Sequence, residues 1–172
     1  MKTFFYSIIV VISSFISLNT YSQDIFLGTW EYQEGNEIFR VHLSLNPEDN
    51  NHIIGHYEKV QVNNGIETYI YSSNKEEFIG NNKGWLPYVI TSRSGDNTKI
   101  YGTINDNTVD ENLYHQLKAG RWTLEILTNS GGFNPTITAH WKVERKSYQS
   151  GLTDNEAPEF SVPTDIVLTK VN

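Results

Sequence analysis

An all-β fold, laid out as a meander of antiparallel strands, is what this sequence predicts, and three observations predict it. Apolar side chains recur with a period of two, not with the 3.6 of a helix. The alternating runs are separated by dense Asn, Gly, Asp and Pro punctuation. The chain is also rich in rings, with 4 Trp, 10 Tyr and 8 Phe, and of these only Phe4, Phe5, Tyr6, Phe15 and Tyr21 precede residue 23. Such rings favour pleated, half-buried surfaces and bury large areas.

The first 22 residues read as a secretory signal peptide. Lys2 supplies a positive start, residues 8–18 are apolar apart from serines, and Thr20 and Ser22 place small residues three and one before a cut ahead of Gln23. The apolar run is shorter than the roughly 20 residues that span a bilayer, so the mature chain is expected to have no membrane span. No Cys follows it, which makes a lipoprotein anchor chemically impossible. Residues 23–172 then form a single domain, exported to the periplasm or secreted. A chain of this size buries about two thirds of its unfolded surface without disulfide staples.

The signal segment holds one of the 13 basic residues and none of the 20 acidic ones, which shifts the net charge from −7 for the whole chain to −8 for the mature one. Such a surface repels phosphate backbones, so nucleic acid is excluded as a partner; solubility is the main meaning of the charge.

The strands follow in order. Residues 26–33 form the first run. In 38–46, Phe39, Val41, Leu43 and Leu45 share one face while Arg40, His42, Ser44 and Asn46 share the other; a helix would scatter the four apolar residues around its circumference. Run 53–62 ends at Asn63, Asn64 and Gly65, where Asn-Gly tolerates the positive φ of a type I′ hairpin turn. Run 67–72 places Tyr69 and Tyr71 on one face by alternation, as 53–62 does Tyr57 and Lys59. Residues 76–79 are read as a single helical turn. Runs 88–92, 99–105 and 113–117 come next, followed by 121–128 with Trp122, Leu124 and Ile126 on one side. Run 137–144 sets Ile137, Ala139, Trp141 and Val143 against Thr138, His140, Lys142 and Glu144. Residues 151–165, with Pro158, Pro163 and four acids, read as a long loop before a last strand at 166–171.

The first strand opens with Gly28-Thr29-Trp30. A Gly-x-Trp at this position resembles the lipocalin signature of the calycin superfamily. That resemblance implies an antiparallel up-and-down β-barrel of eight to ten strands, lipocalin-like, with a β-sandwich as the alternative. It also implies a structural Trp-cap pair: Trp30 packs across the closed end, and a basic residue of a late strand, best matched by Lys170 with Arg145 as the other choice, lies over its indole. A cation–π contact of that kind contributes about 0.5–2 kcal/mol. The opening run 28–41 and the closing Ile166-Val167-Leu168-Thr169-Lys170 also resemble a family of small exported proteins from Gram-negative bacteria, a domain of unknown function.

No reaction is written in the residues. There is no Cys, no Gly-x-Ser-x-Gly elbow, and no singled-out carboxylate pair; Glu125 and Glu144 fall on outer faces, where solvation is the ordinary state. His52 and His56 lie on one strand face about 13 Å apart, too far for one zinc ion. The oxygen-rich 105–111 segment lacks the spacing of an EF-hand and suits turns that bond their own backbone. No metal and no cofactor is therefore expected, and no enzyme. If the sheet closes, Trp30, Phe39, Tyr57, Tyr69, Tyr71, Trp122 and Trp141 line its interior. They would be the ligand-binding residues for a small apolar or amphipathic molecule. The alternative is a solid core and a surface interaction module using loop 151–165, with the barrel as scaffold. The sequence names no protein partner.

Overall fold

The computed structural model describes residues 24–79, 82–85, 88–109, 118–129, 136–145 and 160–171. The segment expected to be a signal peptide, the run at 113–117 and residues 151–159 of the late loop lie outside these. The described residues form eleven strands: β1 (Gly28–Glu34), β2 (Glu37–Asn46), β3 (Asp49–Asn63), β4 (Ile66–Ser72), β5 (Glu76–Ile79), β6 (Asn82–Trp85), β7 (Ile90–Gly95), β8 (Lys99–Asp106), β9 (Lys118–Asn129), β10 (Ile137–Arg145) and β11 (Asp165–Lys170).

Nine of them make one sheet in the order β2-β1-β11-β10-β9-β8-β7-β3-β4, and β2 also pairs with β3 along its length. That pairing closes eight strands into an antiparallel up-and-down barrel, with β4 added as an extra strand. The first and last strands meet at Trp30 opposite Lys170 and Glu31 opposite Thr169. Closure decides against the sandwich, because a sandwich would leave four open edges and here the strands of the ring pair on both sides. The barrel has a lower end, where β1 begins, and an upper end, where β1 turns into β2.

The period-two faces set the core. Phe39, Val41 and Leu43 of β2, Trp122 and Leu124 of β9, and Ala139, Trp141 and Val143 of β10 are all buried, with their alternating neighbours outside. Phe26 below and Val89 and Val162 above complete the cluster from outside the strands. Between β3 and β4, Asn64 and Gly65 have φ of 53° and 79°, both positive as a type I′ turn requires.

Two expectations are corrected. Residues 76–79 are not a helical turn but strand β5, paired with β6 from Glu76 opposite Trp85 to Ile79 opposite Asn82. A lone helical turn secures little for the backbone it fixes, whereas a hairpin gives each strand partners. Tyr69 and Tyr71 do not share a face. Lys59 stands opposite Tyr71 and Val60 opposite Tyr69, so Ile70 is an extra residue in β4. A bulge of one residue reverses the alternation beyond it. Tyr71 turns inward against the core, and Tyr69 is left 66% exposed on the outer wall.

Candidate functional site

The inward rings form a continuous chain. Trp122 and Trp141 stack at 5.5 Å between centroids, Trp141 meets Phe39 at 6.3 Å, Phe39 meets Tyr57 at 6.2 Å, and Tyr57 meets Tyr71 edge-on at 6.2 Å. Contacts of this kind add about 0.5–1.5 kcal/mol each beyond the burial itself. Both indoles are anchored by backbone carbonyls, Trp122 Nε1 donating to Thr91 O at 3.1 Å and Trp141 Nε1 to Pro163 O at 2.9 Å. Trp122 fits because its partner across β8 is Gly102: a Cβ there would stand 1.7 Å from that same Thr91 carbonyl.

Of the seven residues the sequence nominated, five therefore come together: Phe39, Tyr57, Tyr71, Trp122 and Trp141. Trp30 is fully buried at the lower end, where Nε1 donates to Phe26 O at 2.8 Å. Lys170 Nζ lies 5.9 Å from its ring centroid and donates to Ile25 O at 2.9 Å. Burial lowers the Lys170 pKa, as expected for an ammonium drawn over a ring and away from water. Tyr69 stands apart from all of them.

The upper end carries polar residues that sequence reasoning passed over as turn chemistry. Asp106 is fully buried at the end of β8. Its carboxylate accepts from Tyr57 Oη at 2.7 Å, Ser161 N at 2.6 Å, Ser161 Oγ at 2.8 Å, and Thr108 N and Oγ1 at 3.0 Å each. Thr108 supplies the turn bonding that the 105–111 segment suggested. Ser161 and Tyr57 do not belong to that turn, and they convert it into a hub. Tyr71 Oη adds a bond to Ser161 O at 2.9 Å. Burial, then the nearby Asp106 charge, raises the pKa of both Tyr57 and Tyr71 well above the usual tyrosine range. Next door, Asn107 is 5% exposed; Nδ2 donates to Ser73 O at 2.9 Å, while Oδ1 has no hydrogen-bond partner among the described residues.

Residues 160–164 lie over this end. Val162 is in the core, Phe160 packs against Gly120, and Thr164 O accepts from Val143 N at 2.8 Å. The end of the long loop is thus part of the barrel's closure. Around the outside, His52 pairs with Asp49, and Arg40 gathers Glu31, Glu58 and Glu67. No group of three or more His, Cys, Asp or Glu among the described residues is arranged to hold a metal ion, and among the described residues there is no helix long and apolar enough to cross a membrane.

No curated protein and no solved structure matches this chain. Residues 1–171 match the model of a family of unknown function (DUF6705), and the chain belongs to that family.

Proposed function

We propose that this is an exported, noncatalytic binding protein that takes a small apolar or amphipathic molecule into the upper half of its barrel. One observation carries the reading. The chain of rings leads from Trp122 to Tyr71 and ends beside two buried acceptors, Asp106 and the Asn107 side-chain oxygen, under a short segment that Ser161 holds to Asp106. Rings for an apolar body next to acceptors for one polar end are what an amphipathic guest requires. The rings already touch one another, so a guest enters only as residues 160–164 swing away and Val162 leaves the core.

The test uses the mature chain and its Asp106→Asn variant, which weakens the hold on Ser161. A naphthalene sulfonate dye is titrated, then displaced with decanol, and the purified protein is extracted with solvent for mass spectrometry. Saturable dye binding, faster in the variant and reversed by decanol, supports the proposal. No bound dye together with no extracted molecule overturns it.

A second reading, a surface interaction module, is favoured by the edge strand β4. Ile66, Tyr69 and Ile70 are 70%, 66% and 48% exposed on it. Among the described residues β4 pairs with β3 alone, which leaves an edge open to another strand. Loop 151–165, the segment nominated from sequence for that role, has its last residues committed to the core.

A further inference from the structure

We propose that the outer wall of β8, β9 and β10 carries a separate binding site, for a sugar ring bearing a carboxylate or a sulfate. A depression of about 320 Å³ opens there, lined by Lys99 and Tyr101 of β8, Arg121 and Thr123 of β9, and Lys142 and Glu144 of β10. The sheet register explains the grouping. Tyr101 stands opposite Thr123 and Thr123 opposite Lys142, so ring, hydroxyl and ammonium share one rung; Arg121 and Glu144 share the next. All six point outward because their neighbours Ile100, Trp122, Leu124, Trp141 and Val143 are buried inside.

The lining suits that ligand class for two reasons. Tyr101 is 47% exposed, which offers a flat apolar face beside hydrogen-bonding groups. Three cations face one carboxylate in the lining, although the whole chain is acidic at −7. The nearby carboxylates are engaged: Glu144 with Lys142 at 2.6 Å, Glu125 with Lys99 at 2.9 Å, and Asp165 with His140 at 2.6 Å. Exposed pairs of this sort contribute little, so a ligand anion replaces a partner carboxylate at small loss. Arg121, exposed on the same wall, brings the planar fork that binds carboxylate or sulfate through two parallel bonds. A neutral sugar would gain only the ring and the hydroxyl. This site lies on the opposite side of the barrel wall from the rings of the interior, and does not rest on ligand uptake there.

The test is calorimetry on the mature chain with trigalacturonate, N-acetylgalactosamine 4-sulfate, maltotriose and sodium sulfate. Expected is binding of at least one acidic sugar that weakens with added salt, with maltotriose silent and inorganic sulfate weaker by about tenfold or more, since it lacks the ring contact. Tyr101→Ala and Arg121→Gln should each cost about tenfold in affinity and leave thermal unfolding unchanged, because both side chains are exposed. Whichever acidic sugar binds identifies the anion. Silence from both acidic sugars, equal binding of inorganic sulfate, or variants that bind like the parent overturns the proposal.

Discussion

The Tyr57 hydroxyl, on the middle of β3, donates a 2.7 Å hydrogen bond to the carboxylate of Asp106, which ends β8 on the far side of β7. The two residues stand 49 positions apart in the chain, and Ser161, a further 55 beyond Asp106, binds the same carboxylate. One buried anion therefore ties together three distant parts of the barrel's upper end. Its donors are all neutral, so the contact depends on the tyrosine keeping its proton.

That dependence sets a direction for stability at high pH. Tyr57 and Tyr71 hold their protons more tightly folded than unfolded. The stability they contribute is complete below the ordinary tyrosine pKa of about 10 and is lost as pH rises beyond it, at up to about 1.4 kcal/mol per pH unit for each. Tyr57→Phe should cost about 1–2 kcal/mol at pH 7, through the donor taken from Asp106, and should flatten the alkaline decline. Urea midpoints for both proteins from pH 7 to 11 check this. Two parallel profiles would count against it.

At the lower end, Lys170→Met should destabilise by about 1–2 kcal/mol, combining the lost cation–π contact with the unmet Ile25 carbonyl. Methionine keeps most of the apolar stem, so the loss reports the charge. Thermal unfolding measures it, and an unchanged midpoint would show that the ammonium over Trp30 adds nothing.

The bulge at Ile70 separates two tyrosines that simple alternation would pair. Tyr69→Ser should change stability by no more than about 0.5 kcal/mol, as expected for an exposed side chain. Tyr71→Ser should cost about 2–4 kcal/mol, since it removes a ring packed on Tyr57 and a bond to Ser161. Equal effects in chemical denaturation would place both rings in one environment and remove the bulge.

Gly102→Ala should be among the costliest single-methyl additions in the chain. The new Cβ would press on the Thr91 carbonyl, which is backbone and cannot move aside as a side chain does. A cost of about 3 kcal/mol is expected, with a shifted tryptophan emission as Trp122 loses its anchor. A stable variant with unaltered emission would show that β7 and β8 have slack at this rung.

Much of this barrel was legible because one face of each strand must hide from water. In β2, β9 and β10 the inward residues are those the period of two selects, and five of the nominated rings meet in one chain as a result. Where the period slips, reading fails. Ile70 is an ordinary strand residue by composition, and nothing local says that it goes unpaired; its partner strand decides. Residues 76–79 gave no helical or alternating stripe, and became a strand because 82–85 offered a backbone to pair with.

The sequence by itself determined which side chains seek the interior, where the chain turns, and that a tryptophan opens the first strand, since solvation and backbone sterics act locally. Only the tertiary structure decided that Asp106, an acid in a turn-forming segment, would be buried and shared by Thr108, Tyr57 and Ser161. Only it set Lys99, Tyr101, Arg121 and Lys142 around one depression. Both outcomes depend on strand register and closure, which bring together groups that no neighbouring residue links.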